Sequence, residues 1–237
     1  MRHTGTVPTT DDAVSLLAQV PLFASLTGDE AETLASALTR ARVDRGECIF
    51  SEGDPGNQLY VIRQGKVKIS LSGPEGRENM LAVLGEGEMF GELSLFDPSP
   101  RTANATAITD TELLCLPHDS LRGWLTSSPT VAPRLLQALA QRLRRTNEQL
   151  ADLVFSDVPG RVAKTLLTLA ERFGTADTHG IRVTHDLTQE EMAQLVGSSR
   201  ESVNKALADF SSRGWIRLEG RTAILLLEPD RQSRRAG

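Results

Sequence analysis

The spacing of apolar positions changes character several times along the chain. Between residues 12 and 38, Val14, Leu16, Leu17, Val20, Leu34 and Leu38 recur at helical spacing, interrupted by Pro21. The run Thr27-Gly-Asp-Glu resembles a helix cap. This segment predicts two or three short helices, behind a polar and frayed stretch over residues 1–12. From residue 42 to 117 the period falls toward two. Apolar, β-prone runs occupy 48–50, 59–63, 67–71, 80–84, 103–107 and 111–116. Turn residues separate them: Gly53-Asp-Pro-Gly, Gln64-Gly-Lys, Ser72-Gly-Pro and Leu84-Gly-Glu-Gly. Val67, Ile69 and Leu71 alternate with Lys66, Lys68 and Ser70, the pattern of a half-buried strand. Many short strands with Gly-rich turns predict a sandwich or jelly-roll barrel.

A long helix is predicted over 128–155, with Pro133 tolerable in its first turn. Leu136, Leu143 and Leu150 are spaced by seven, and so are Leu139, Thr146 and Leu153. Two interleaved series of this kind fit a seam between paired helices. A helix packed in a core also fits so short a seam. Thr146 and Asn147 place polar groups there, either to fix the register or to meet a ligand beside the pairing axis.

Asp157 caps a helix over 158–173 whose expected stripe is Val162, Ala163, Leu166, Leu167, Ala170 and Phe173. Residues 155–160 read as a hinge. Residues 188–211 read as a helix–turn–helix. Thr188 and Glu191 form a capping box, Gly197 makes the turn, and Ser198 or Ser199 caps the second helix. Arg200, Glu201, Ser202, Asn204 and Lys205 lie on its open side. That side is either a solvated charged face or a surface that reads base edges in the major groove. The hairpin over 215–227, turning at Glu219-Gly220, predicts a wing with Arg221 and Thr222 in reach of phosphate.

Composition narrows the class. The 237 residues are 39% hydrophobic and 24% charged, as in ordinary globular proteins. No apolar run approaches the length of a membrane span, and the first residues lack a signal-peptide core, so a cytoplasmic protein without membrane contact is expected. Cys48 and Cys115 sit in apolar runs and read as core residues; they offer no metal cluster. His118, in Pro117-His118-Asp119, reads as part of a surface turn. The net charge is −5, but residues 157–237 carry 12 basic and 11 acidic residues. A polyanion surface there depends on local clustering.

The candidate chemistry lies in FGELSLFDPSPRTANATA, residues 90–107. Backbone N–H groups near Gly91, Glu92 and Leu93, with Arg101 and Thr102 close behind, suit a phosphate. Glu92 would repel that phosphate, but it would accept from a hydroxyl such as a ribose presents. No nucleophile–base pair or P-loop is visible, so no catalytic residue is expected.

Four stretches, in order, resemble one family: GDPGNQLYVIRQGKVKI, FGELSLFDPSPRTA, LAQRLRRTNEQLADLVFSDVPGRVAKTLL and LTQEEMAQLVGSSRESVNKAL. The chain resembles bacterial transcription regulators of the cyclic AMP receptor protein (CRP/FNR) superfamily, particularly those of actinobacteria. The resemblance implies an α+β protein in three parts. Residues 1–127 would be a jelly-roll cyclic-nucleotide-binding domain, 128–155 a dimerisation helix, and 156–237 a winged helix–turn–helix domain. It implies cyclic AMP as an allosteric effector held by Gly91, Glu92, Leu93, Arg101 and Thr102, with Arg142, Thr146 and Asn147 of the long helix facing the nucleotide. Thr146 would contact adenine within its subunit, and Asn147 would reach in from a second copy. Ser199, Arg200, Glu201, Ser202 and Lys205, with Arg221 and Thr222 of the wing, would meet double-stranded DNA at an inverted repeat of TGTGA-like half-sites. Homodimerisation and RNA polymerase as a partner are also implied. Cyclic GMP is the alternative effector, because a threonine after the arginine can also meet guanine. A cyclic-nucleotide-binding regulatory subunit of another class is the remaining alternative, against which the helix–turn–helix argues.

Overall fold

The computed structural model describes residues 14–15, 17–18, 23, 28–73, 78–96, 99–120, 123 and 131–227. The chain divides into two compact units, residues 1–147 and 148–237.

The first unit begins with helix α1 (Gly28–Ser36) and continues through strands β1 (Thr39–Val43), β2 (Cys48–Phe50), β3 (Gln58–Gln64), β4 (Val67–Ser72), β5 (Glu78–Leu84) and β6 (Met89–Phe90). The short helix α2 (Leu93–Phe96) precedes β7 (Asn104–Ala107) and β8 (Thr111–Pro117). The strands form two four-stranded antiparallel sheets, ordered β1-β8-β3-β6 and β2-β7-β4-β5. This is the jelly-roll sandwich that the turn spacing predicted. Strand β8 shows how the pleat sorts the core. Leu113 and Cys115 point between the sheets, with Ile62, Val67, Phe90 and Ala105. Leu114 and Leu116 point the other way, onto Leu34 and Leu38. One sheet is therefore buried on both faces, which is why β3 reads as the unbroken run Leu59-Tyr-Val-Ile.

Strand β4 departs from simple alternation. Its pairing with β5 shifts register between Ile69 and Ser70, and Ser70 is fully buried, donating its hydroxyl to Glu78 at 2.5 Å. A bulge re-aims the residue that follows it. His118 is buried rather than in a surface turn. Its backbone N–H donates to the Asn57 carbonyl at 3.0 Å, which draws the end of β8 against the loop before β3. Cys115 is buried and its thiol is pushed up to about 11 by desolvation, so it stays protonated and inert. Of the N-terminal helices, α1 is seen; the predicted caps and breaks around Pro21 and Thr27 lie outside the described residues.

Helix α3 (Val131–Phe155) is the predicted long helix, and its start before residue 131 lies outside the described residues. The second unit adds α4 (Val158–Phe173), β9 (Gly174–Asp177), β10 (Gly180–Thr184), α5 (Gln189–Val196), α6 (Arg200–Ser212), β11 (Ile216–Glu219) and β12 (Ala223–Leu227). Asp157 caps α4 by accepting from the Gly160 N–H at 2.9 Å. Its buried stripe is Val162, Leu166 and Leu169, while Leu167 is 59% exposed. Steps of three and four residues place Leu169 on the inner face and turn Leu167 out of it. The hairpin β11–β12 is not alone: β12 also pairs with β10, and β10 with β9, making a four-stranded sheet. The tail beyond residue 227 lies outside the described residues.

Gly197 ends α5 in the left-handed conformation, at φ 68°, and a Cβ there would stand 2.8 Å from Cδ2 of Leu153. Gly197→Ala is expected to lower the unfolding free energy of the second unit by about 1 kcal/mol. Gly197→Asn is expected to lose less, since asparagine tolerates this conformation. Urea denaturation followed by circular dichroism checks the order, and equal losses would refute the backbone argument.

Candidate functional site: a barrel cavity and a helix–turn–helix surface

The barrel of the first unit holds a cavity of about 280 Å³. Gly91, Glu92, Leu93, Arg101 and Thr102, all singled out from the sequence, line it together. They converge because β6 ends at Phe90, α2 turns the chain, and Arg101 returns beside the loop before β3. The main chain of Arg101 is fixed on both sides: its N–H donates to the Asp54 carbonyl at 2.8 Å, and its carbonyl accepts from the Gly53 N–H at 2.8 Å.

The Arg101 side chain is 5% exposed. Its Nη1 donates to the Gly91 carbonyl at 2.9 Å and to Oγ of Ser94 at 3.0 Å, and its Nη2 donates to the Gln58 carbonyl at 2.8 Å. Its Cζ lies 4.3 Å from the centre of the Phe50 ring and 5.7 Å from that of Tyr60. Tyr60 stacks on Phe90 at 5.1 Å, so the guanidinium rests on an aromatic shelf. Nε of Arg101 is buried and has no hydrogen-bond partner within the protein. A buried N–H without an acceptor is costly.

Burial pushes the Arg101 pKa down, while the adjoining Tyr60 and Glu92 oppose that shift. Glu92 is itself buried, at 2% exposure. The cavity thus presents a cation and a carboxylate side by side, the pair of groups that suits a phosphate joined to a hydroxyl-bearing sugar.

Two glycines make this packing possible. Gly91 has φ 82°, and a Cβ there would lie 2.7 Å from Nη1 of Arg101. A Cβ on Gly56 would lie 2.1 Å from Oγ of Ser94. Sequence reasoning passed over Ser94, although it sits inside the singled-out stretch. It also passed over Phe50, Gln58 and Tyr60, which are distant in the chain and act through a ring face or a main-chain carbonyl.

From α3, the residue that lines the cavity is Leu139. It is half-buried and packs on the cluster of Leu34, Leu38 and Leu114, so it is covered within its own unit. Thr146 and Asn147 are exposed and are not among the lining residues. They lie about 10 Å further along the helix axis. The side chain of Arg142 lies outside the described residues. Leu136, Leu143 and Leu150 are exposed at 65%, 62% and 61%, an unpartnered apolar row at heptad spacing. Phe155 is 86% exposed at the end of the same helix.

In the second unit the capping box of α5 is complete, with Thr188 accepting from the Glu191 N–H and the Glu191 carboxylate accepting from the Thr188 N–H. Ser199 caps α6, accepting from the Ser202 N–H at 3.2 Å. Val203, Ala206, Leu207 and Phe210 are buried, which leaves Arg200, Glu201 and Lys205 exposed and Ser202 half-buried. Arg221 is exposed at the turn of the β11–β12 wing. The Thr222 carbonyl next to it accepts from the His185 and Asp186 N–H groups at 2.9 and 3.1 Å, fastening the wing beside the start of the helix–turn–helix. Arg161, not singled out from the sequence, joins three segments. It donates to the carbonyls of Ser156, Val196 and Gly197 at 2.8, 3.1 and 3.3 Å. Those of Val196 and Gly197 are helix C-terminal acceptors, where a cation is favoured.

Among the described residues, no helix is long and apolar enough to cross a membrane. A jelly-roll barrel with a buried arginine at its cavity, followed by a winged helix–turn–helix, is the architecture of effector-responsive transcription regulators. Comparison with known proteins agrees. The cyclic nucleotide-binding domain family matches residues 40–128, and the Crp-like helix-turn-helix family matches residues 160–231. The chain is 53% identical over 221 residues to the CRP-like cAMP-activated global transcriptional regulator of Mycobacterium tuberculosis, covering 93% of this chain and 98% of that protein. It is 37% identical over 213 residues to the cyclic AMP receptor protein of Thermus thermophilus, covering 88% and 95%. Among solved structures, the c-di-GMP-responsive global regulator of Xanthomonas campestris matches with a TM-score of 0.72 at 28% identity, covering 86% of this chain and all of that one. The chain belongs to the CRP-like family of transcription regulators, which are not enzymes.

Gly91→Ala is expected to displace the Arg101 guanidinium, because the new methyl group needs its space and the backbone is strained for alanine. Stability should fall by about 1–2 kcal/mol. Binding of a phosphate-bearing ligand to the barrel should fall well beyond what that loss explains. Calorimetry at a temperature where circular dichroism shows the variant folded checks this, and unchanged binding would refute it.

Proposed function

We propose that the protein is a cyclic AMP-responsive, sequence-specific DNA-binding transcription regulator acting in the cytoplasm as a homodimer. The observation that carries the reading is Arg101, buried at the cavity wall with its Nε–H unpartnered beside the buried carboxylate of Glu92. Arg101 pairs with the cyclic phosphate, and Thr102 and the backbone from Gly91 to Leu93 bond its oxygens. Glu92 accepts from the ribose 2′-hydroxyl. The relatives from M. tuberculosis and T. thermophilus are named for cyclic AMP, which supports the same effector here.

The exposed row Leu136, Leu143 and Leu150 supports pairing of two α3 helices. In such a dimer Thr146 reaches the adenine of its own subunit and Asn147 that of the partner, and Arg142 lies on the same face. Neither Thr146 nor Asn147 lines the cavity as it stands in one chain, so their contact depends on the second copy and on the bound nucleotide. Leu139 lines the cavity, and Leu153 of the same helix stands beside Gly197 at the helix–turn–helix turn. Ligand binding biases DNA affinity only if the two states of the dimer bind the nucleotide unequally.

Arg200, Glu201 and Lys205 read base edges, with Ser199 and Ser202 at the α6 N-terminus and Arg221 and Thr222 of the wing on the phosphates. Two-fold symmetry then calls for an inverted repeat, for which TGTGA-like half-sites are proposed. RNA polymerase is the proposed protein partner at the promoter.

Titration calorimetry with cyclic AMP, cyclic GMP and cyclic di-GMP tests the effector. Arg101→Ala should weaken cyclic AMP binding by about 10–100-fold. Tighter binding of a guanine nucleotide would move the protein to the second reading, which Thr102 on the cavity wall and the c-di-GMP-responsive Xanthomonas relative both motivate. Arg200→Ala should abolish specific retardation of an inverted-repeat duplex with cyclic AMP binding intact; no retardation by the native protein under any ligand would refute the regulator reading. Leu143→Glu is expected to halve the mass seen by sedimentation equilibrium, and an unchanged mass would remove α3 as the pairing element.

A further inference from the structure

Arg200 is exposed, yet one edge of its guanidinium is already engaged. Nε–H and Nη2–H donate to the same acceptor, Oε1 of Gln189, at 3.1 and 2.8 Å. Asn204, one turn further along α6, donates its Nδ2–H to that oxygen at 3.4 Å. Gln189 is the first residue of α5, immediately after the capping-box threonine. A single side-chain carbonyl therefore bridges the first turns of both helices of the helix–turn–helix.

The geometry decides what Arg200 can still offer. A guanidinium has two edges that present parallel N–H pairs. The edge carrying Nε is committed to Gln189. The outer edge, with Nη1 and the remaining hydrogen of Nη2, is left for a ligand, and it matches the O6 and N7 acceptors of guanine. The acceptor on Gln189 is uncharged, so it orients the cation without neutralising it. A salt bridge at this place would have lowered the charge presented to DNA. Arg200 has no ion pair in this structure, whereas Arg182 and Arg213 of the same unit are paired with Asp177 and Asp209.

We propose that Gln189 is a positioning residue for base recognition. Its carbonyl pre-orders Arg200 so that the outer edge of the guanidinium faces the major groove, and it thereby sets the preference for guanine. This inference rests on the proposed DNA-reading role of α6.

The test compares two duplexes: an inverted repeat with TGTGA half-sites, and the same duplex with the guanines of each half-site replaced by adenine. The readout is the affinity ratio between them with cyclic AMP present. Gln189→Ala should reduce the ratio by about tenfold, within the worth of one bidentate base contact. Gln189→Glu keeps the acceptor and should keep the ratio while weakening both duplexes alike. Adding Gln189→Ala to Arg200→Ala should change the ratio no further. An unchanged ratio in Gln189→Ala, or an equal loss on both duplexes, overturns the proposal, since the latter would make Gln189 a phosphate contact. The free protein supplies a readout that needs no DNA: the Arg200 Nε–H resonance. Its hydrogen exchange should be slow in the native protein and accelerate in Gln189→Ala. If the native protein ignored the guanines, the base-reading role of Arg200 would fall while the exchange measurement still decided whether Gln189 holds it. Exchange indifferent to the substitution overturns the hold itself.

Discussion

A guanidinium 95% removed from solvent is the constraint around which the barrel is built, the exposure of Arg101 being 5%. Burying a cation is unfavourable unless polar partners replace its water. Here the replacements are mostly main chain: the carbonyls of Gly91 and Gln58, with Oγ of Ser94 as the side-chain member. Gly91 lets its carbonyl approach the ion because no Cβ intervenes there, and Gly56 leaves the room that the Ser94 side chain occupies. The Phe50 ring covers one face of the ion. Arginine suits the position because it stays charged despite the downward pull of burial. Three of its five N–H groups are spent on these acceptors, and the buried Nε–H has no partner within the protein.

The same logic explains which parts could be read from the sequence. The convergence of Gly91, Glu92, Leu93, Arg101 and Thr102 on one cavity was legible because these residues lie within one short stretch of chain. The helix–turn–helix was legible because Thr188, Glu191, Gly197 and Ser199 are local caps whose chemistry acts within three residues. The pieces that were not legible act across the sheets. Gln58 contributes only a carbonyl, and any residue could do so. Phe50 and Tyr60 look like ordinary core aromatics until β2 and β3 are brought beside Arg101. Strand β1, Thr39-Arg-Ala-Arg-Val, hid behind its arginines, because only Ala41 and Val43 are buried and β8 supplies the rest of the pairing. Strands β9 and β10 were missed for a similar reason: Gly174-Thr-Ala-Asp carries little apolar signal, and its place is set by pairing with β10. Leu139 was read as one more member of the heptad series. Its contact with the barrel core depends on where α3 packs, which spacing within α3 cannot specify.

The long helix thus carries two different apolar demands on one period. Leu139 is satisfied within its own unit, while Leu136, Leu143 and Leu150 remain at the surface. Heptad spacing alone treats these positions as equivalent; burial separates them. An exposed leucine row at heptad spacing is costly for an isolated helix and would be relieved by pairing with another apolar helix face.

The stretch from residue 157 meets a harder electrostatic problem than its net charge of +1 suggests, since it holds 12 basic and 11 acidic residues. The solution is spatial. Lys164 pairs with Asp152, Arg182 with Asp177 and Glu219, and Arg213 with Asp209. Arg161 spends its donors on main-chain carbonyls at a helix end. Among the described residues, Arg200, Lys205, Arg217 and Arg221 have no carboxylate partner, and all four are exposed. They belong to α6 and to the wing strands or their turn. With Lys164, Arg182 and Arg213 paired to acids, these four are exposed cations without a carboxylate partner among the described residues. A nearly neutral domain can in this way present a local positive surface, and the attraction falls off within about 8–10 Å at physiological salt. Charge of such short range favours no sequence, so discrimination by these elements would have to come from how the exposed side chains are held.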